Sequence, residues 1–210
     1  MQTEHEAPDA KAHWDRVYGR VAHDAVSWYR PHLETSLRLI QSAAGQDASI
    51  IDVGGGHSTL VDDLVQHSYR NVTVLDVSEV ALSRSRQRLG QAAESVTWRV
   101  GNILTAPLPQ AGYDVWHDRA VFHFLRDPQQ RIDYVRQVEH AMRPGGHLVM
   151  ATFGPQGPVK CSGLEVCRYD AESLAELFGP RFHLVESLLE MHQTPSGGQQ
   201  QFLYCHFIFS

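Results

Sequence analysis

Cysteine is scarce in this 210-residue chain, with Cys161, Cys167 and Cys205 odd in number and unevenly spaced. Three such residues make no disulfide framework, so free thiols and a reducing compartment are expected. No stretch approaches the roughly 20 consecutive apolar residues that a membrane span needs. The opening MQTEHEAPDAKAHWDRVYGR carries no apolar signal core. A membrane partner is not expected, and the expected location is cytoplasmic. Positive charge is in deficit, 18 Lys and Arg against 24 Asp and Glu, for a net charge of −6. Without a global positive field or a basic patch, nucleic acid is not expected as a partner. Repeats and low-complexity tracts are absent too. What is present is ordinary for one globular domain, 42% hydrophobic and 20% charged, long enough for one good core.

Apolar spacing predicts a helix over 7–18, where Trp14, Val17 and Tyr18 share a face. A second follows Pro31, with Leu33, Leu37, Leu39 and Ile40 before a break at Gly45. From residue 49 short branched runs alternate with longer helical stretches. Strands are predicted over 50–53, 72–75, 96–100, 113–117 and 148–153, and helices over 59–66, 79–91 and 129–142. Alternation of this kind means right-handed βαβ units and a doubly wound α/β sheet, mostly parallel. Arg143-Pro144-Gly145-Gly146 reads as the turn into the fifth strand. Asp170 reads as the cap of a helix ending at Phe178, and two runs over 182–192 and 200–209 read as a C-terminal antiparallel hairpin.

The stretch IIDVGGGHS at 50–58 places three glycines between a strand and a helix. Glycine there lets backbone approach a ligand, and the helix start points amides at it. A dinucleotide fingerprint needs a sixth-position glycine, but counting from Gly54 that position is Thr59, so a nicotinamide cofactor is disfavoured. Asp52, Gly54, Gly56 and Ser58 instead resemble motif I of class I S-adenosylmethionine-dependent methyltransferases. The resemblance continues in order. VTVLDVS ends in Asp76, 20 positions beyond Gly56 (76 − 56), where the family places the acid for the ribose hydroxyls. VTWRVGNIL carries Asn102 where the family usually has Asp at the adenine. YDVWHDRAVFHFL resembles the fourth-strand motif, with Asp114 at its start and Asp118 near the methionine moiety, and MRPGGHLVMATF resembles the turn and fifth strand.

This resemblance covers roughly 45–210 and implies a seven-stranded Rossmann-like methyltransferase fold, with 1–44 as an N-terminal helical lid segment. HWDRVYGRVAHDAVSWY also resembles the entry segment of small members, including some elongation-factor lysine methyltransferases. It implies S-adenosylmethionine as cofactor, held by Trp28, Tyr29, Asp52, Gly54, Gly55, Gly56, Ser58, Asp76, Val77, Asn102, Ile103 and Asp118. Asp52 is expected to order the loop and face the cofactor's ammonium. Gly54 and Gly56 are expected to face its methionine end, with Gly55 turned away and tolerant of Ala.

Methyl transfer from a sulfonium asks mainly for orientation and dryness, with a base only for a protonated nucleophile. His123, just past the fourth strand, is the expected base or orienting group, whereas His117 inside that strand reads as structural. The connection GPQGPVKCSGLEVCRYD at 154–170 is long, and its position suits one wall of the acceptor pocket. Phe122, Cys161, Arg168 and Tyr169 are the expected substrate contacts. A metal on Cys161, Cys167 and His192 is not expected, because Cys-x5-Cys is not a usual zinc spacing. The leading expectation is a methyltransferase for a small-molecule acceptor. The runner-up is a protein lysine N-methyltransferase; a thiol or metalloid acceptor and a non-catalytic cofactor-binding subunit rank lower.

Overall fold

The structure, a computed structural model, describes residues 10–210. Helix α1 spans Ala10–Arg20, so residues 7–9 of the predicted first helix lie outside the described residues. Helix α2 spans Glu34–Ala43. There follow β1 (Ser49–Val53), α3 (Leu60–Gln66), β2 (Asn71–Asp76), α4 (Glu79–Leu89), β3 (Val96–Val100) and β4 (Tyr113–Arg119). Next come α5 (Pro128–Ala141), β5 (Met142–Phe153), β6 (Lys160–Cys161), β7 (Leu164–Glu165), α6 (Ala171–Phe178), β8 (Phe182–Gln193) and β9 (Gln199–Phe209).

Seven strands form one sheet in the order β3-β2-β1-β4-β5-β9-β8. The first five are parallel, and β9 inserts antiparallel between β5 and β8. This is the doubly wound sheet with a terminal hairpin that the sequence predicts. The strand order reverses between β1 and β4, and at such a reversal the connections leave to opposite faces and open a crevice at the carboxyl edge.

Alternation along the strands builds two cores. Ile51, Val53, Trp116 and Met150 face α5 and α6, where Tyr134, Val138, Leu174 and Phe178 are buried. Ile50, Val74, Val115, Val149 and Ala151 face the other way, with Leu39 and Ile40 of α2 and Leu60, Val61 and Leu64 of α3. Helix α2 thus covers the sheet, while α1 rides on α4. Ser78 donates to Asp15 at 2.6 Å, and Arg84 reaches the Val21 and Gly19 carbonyls.

Two connections differ from the sequence reading. The 143–146 turn is absorbed into β5 as a bulge, since Tyr113 pairs with Met142 but Val115 pairs with His147. Gly145 takes φ +81° there, and Arg143 clamps both oxygens of Asp114 at 2.6 Å. The 154–170 connection is not structureless. It folds β6 and β7 into a small antiparallel hairpin, turned by Ser162 and Gly163 at φ +49° and +80°. Asp170 caps α6 as predicted, through a capping box with Ser173.

Candidate active site

A cavity of about 630 Å³ opens at the carboxyl edge of the sheet. Val53, Asp76, Asn102 and Arg119 reach it from the ends of β1, β2, β3 and β4, and Trp14 and Tyr18 of α1 close over it. Trp14 stacks on Tyr18 with centroids 5.6 Å apart and meets Trp28 and Phe124 edge-on at 6.0 and 5.2 Å. Of the expected cofactor residues, Trp28, Tyr29, Asp52, Gly54, Gly55, Ser58, Asp76, Val77, Asn102 and Ile103 line this cavity.

The glycine loop works through two carboxylates. Gly54 has φ +70°, a conformation that favours glycine, and its N–H donates to the Leu75 carbonyl at 2.7 Å. Gly56 is off the cavity wall; its N–H donates to Asp76 at 3.1 Å, and the Ser78 N–H donates to the other oxygen at 2.8 Å. Burial is the main cause that pushes the Asp76 carboxyl up to about 6, against those two N–H donors. A Cβ on Gly56 would stand 2.7 Å from the Asp76 carboxylate, and one on Gly55 would collide with that of Asp52. The expectation that Gly55 turns away from the ligand and tolerates Ala is therefore corrected: it lines the cavity. The chain has already left the extended conformation, so alternation no longer applies.

Asp52 is held by a buried relay. Its Oδ1 lies 2.7 Å from His117 Nδ1, and His117 Nε2 lies 2.9 Å from the Ser36 hydroxyl. The polarity of both bonds is satisfied when His117 donates to Asp52 and accepts from Ser36. The order Ser-His-Asp resembles a hydrolase triad, but Ser36 is fully buried and off the cavity, so no substrate reaches it. The relay fixes Asp52 instead, leaving Oδ2 buried without a partner. An unpaired buried carboxylate oxygen suits an ammonium, and a second carboxylate at Asp76 suits hydroxyl donors. With no Cβ between them at Gly55 and Gly56, these groups fit S-adenosylmethionine.

Besides Gly56, five expected residues are placed elsewhere. His123 is fully buried, its ring packed on Phe124 and Phe153 and its Nδ1 accepting the Phe153 N–H at 3.4 Å. Burial, with the Arg119 charge, lowers it to about 3, so it is neutral and out of reach as a base. The single turn over Phe122–Phe124 rolls that ring inward. Phe122 likewise packs in the core on Tyr134 and Phe178, beside Tyr169, which is also buried off the cavity. Asp118 points to α5, accepting the Val121 and Phe122 N–H groups and the Tyr134 hydroxyl. Arg168 donates to the Gly157 carbonyl and also stays off the cavity wall. Cys161 does line the cavity, its thiol pushed up to about 11 by burial. Asn102 lines it as well, its oxygen accepting the Leu104 N–H at 3.0 Å.

His57 and Arg119 stand out among the cavity residues that the sequence left unmarked. His57 is 3% exposed, both ring nitrogens lack partners, and burial lowers it to about 4. Its signal was its own oddity, a large ring inside a glycine loop. Arg119 follows Asp118 and, by alternation, leaves the strand on the opposite face. Among the described residues no group of three His, Cys, Asp or Glu is placed to hold a metal, and no helix is long and apolar enough to cross a membrane.

The family profile described as "Methyltransferase domain" matches residues 51–148. EEF1A lysine methyltransferase 2 of Danio rerio is 25% identical over 195 residues, 85% of this chain and 77% of that protein. A probable S-adenosylmethionine-dependent methyltransferase of Mycolicibacterium smegmatis is 29% identical over 167 residues, covering 77% of this chain and 61% of that one. Among solved structures, the 1,6-didemethyltoxoflavin-N1-methyltransferase of Burkholderia thailandensis, with 1,6-didemethyltoxoflavin and S-adenosylhomocysteine bound, superposes with a TM-score of 0.68. It is 20% identical, covering 95% of this chain and 84% of that one, a likeness of fold. With the motifs in order, the sheet reversal at β1 and β4 and the paired carboxylates on the cavity wall, the chain is an S-adenosylmethionine-dependent methyltransferase with a methyltransferase domain over 51–148 and the fold of the class I enzymes, and S-adenosylmethionine is its cofactor.

Proposed function

We propose that the chain moves the methyl group of S-adenosylmethionine to a nucleophile on a small molecule held inside the cavity. One observation carries this: the wall beyond the two carboxylates is a contiguous aromatic surface of Trp14, Tyr18, Trp28 and Phe124. A volume of about 630 Å³ also lies in the range of small-molecule pockets. Asp76 takes the ribose hydroxyls, and Asp52 takes the ammonium through its free oxygen. Val77, Asn102 and Ile103 surround the adenine, and Trp28 and Tyr29 belong to the lid. When bound, the cofactor supplies an electrophilic methyl group on a sulfonium. The chain contributes alignment and exclusion of water, the two requirements of in-line displacement. His57, neutral at pH 7 and only weakly basic, offers hydrogen bonds rather than strong base catalysis.

A second reading, protein lysine methylation, is favoured by the Danio rerio relative, whose match takes in 85% of this chain. Incubation with methyl-labelled S-adenosylmethionine and a fractionated lysate separates the two. Label in the small-molecule fraction is expected. Label confined to protein would install the lysine reading, and no product at all would leave a cofactor-binding subunit.

A pH dependence follows from Asp76. Its raised pKa means the ligand-free chain is protonated there below about pH 6. Ribose hydroxyls donate best to the ionised form, so cofactor binding pulls that pKa down and affinity falls as pH falls through 6. S-adenosylhomocysteine is expected to bind about tenfold more weakly at pH 5 than at pH 7.5, on a binding shift of about 2 pKa units. Titrations at the two pH values check it.

A further inference from the structure

Three arginines line the cavity, Arg30, Arg119 and Arg126. Arg30 pairs with Glu190 at 3.3 Å and Glu34 at 3.9 Å, and Arg126 pairs with Glu165 at 2.5 Å. Arg119 differs. Its Nε donates to the Tyr204 hydroxyl at 3.0 Å and its Nη1 to the Trp28 carbonyl at 3.1 Å. Its guanidinium carbon lies 4.2 Å from the centroid of the Phe202 ring. Its Nη2 is buried with no acceptor, and no carboxylate among the described residues forms an ion pair with it. A guanidinium stays charged at any working pH, and a partly buried charge with only neutral partners is uncompensated. The chain is thus pre-set for an anion at this point.

The placement tells which anion. The carboxylates that suit the cofactor stand at the ends of β1 and β2. Arg119 ends β4 and is braced from β9, away from β2, among Trp28, Phe124 and Cys161. We propose that Arg119 is a specificity-determining residue that pairs with a carboxylate on the methyl acceptor, whose apolar or aromatic body lies against Trp14, Trp28 and Phe124. The proposal deepens the small-molecule reading and rests on it. A protonated lysine would meet like charge at this position, whereas a small aromatic acid gains an ion pair and ring contacts together.

The test uses the whole chain saturated with S-adenosylhomocysteine. Benzoate and phenylacetate are titrated beside their uncharged isosteres benzamide and phenylacetamide, with tryptophan fluorescence as the readout. The acids are expected to bind about tenfold tighter than the amides, the scale of a charge-assisted bond. In Arg119→Gln the preference should collapse to within about twofold, and Arg119→Lys should retain part of it. If the glutamine variant does not fold, the parent's preference and the lysine variant decide. S-adenosylhomocysteine and 5′-methylthioadenosine, which lacks the amino-acid end, are titrated into both proteins as a control. No preference for acids in the parent overturns the proposal. So does a loss in Arg119→Gln of S-adenosylhomocysteine affinity alone, which would assign the arginine to the cofactor's own carboxylate. Failure of S-adenosylhomocysteine to bind the parent would instead overturn the functional reading beneath it.

Discussion

Gly56→Val is expected to remove measurable S-adenosylhomocysteine binding from a chain that keeps a folded circular-dichroism spectrum. The new side chain enters at 2.7 Å from both the Asp76 carboxylate and the Ala81 methyl, where overpacking costs about 1–3 kcal/mol. Its effect on the ligand is indirect, because Gly56 is off the cavity wall and its N–H and carbonyl are tied to Asp76 and Ser85. Relief of the clash swings the carboxylate out of place. Gly55→Ala is expected to fail for the parallel reason, its methyl pushing the Asp52 carboxylate off the His117 relay, with a loss of at least about tenfold for one charge-assisted bond. Titration calorimetry on the three proteins checks both; normal affinity in Gly56→Val would reduce the loop to a structural turn.

Asp76→Ala should weaken S-adenosylhomocysteine by about 2–3 kcal/mol, roughly 30- to 150-fold, the value of two hydroxyl bonds to a carboxylate. The fold should survive, since the residue ends a strand and belongs to neither apolar core, although the Gly56 and Ser78 N–H groups lose their acceptor. Asp76→Asn sharpens the result. It preserves shape but does not titrate, so its affinity should be lower than the parent's at pH 7.5 and flat down to pH 5. A parent and an asparagine variant with the same pH profile would show that another group governs the titration.

The strands, their order in the chain and the terminal hairpin were legible because strands buried on both faces of a sheet read as short, near-continuous apolar runs, as in Ile50 to Val53 and Phe202 to Phe209. The glycine loop and Asp76 were legible because their spacing is set by one strand, one helix and one more strand. Local turns were not. The bulge at 143–146 is selected by the Arg143 to Asp114 pair, a contact across 29 residues, and the hairpin at 160–165 by positive φ at Ser162 and Gly163. His123 and Asp118 were misplaced for a related reason. A strand end says which residues come next, but the turn over Phe122–Phe124 decides which roll into the core. Arg119 was passed over because its significance is an absent partner, and a missing carboxylate is visible only in three dimensions.

The most direct test of the account is the melting temperature of the chain with millimolar S-adenosylhomocysteine beside millimolar NADH. A ligand at a hundredfold excess over its Kd adds about 2.7 kcal/mol to the native state, a rise of about 5–10 °C for a domain of this size. That rise is predicted for S-adenosylhomocysteine. None is predicted for NADH, because Thr59, its hydroxyl bound to the Arg30 carbonyl at 2.9 Å, stands where the dinucleotide loop needs its third glycine. An unchanged melting temperature with S-adenosylhomocysteine, or an equal rise with NADH, would contradict the assignment of the cavity.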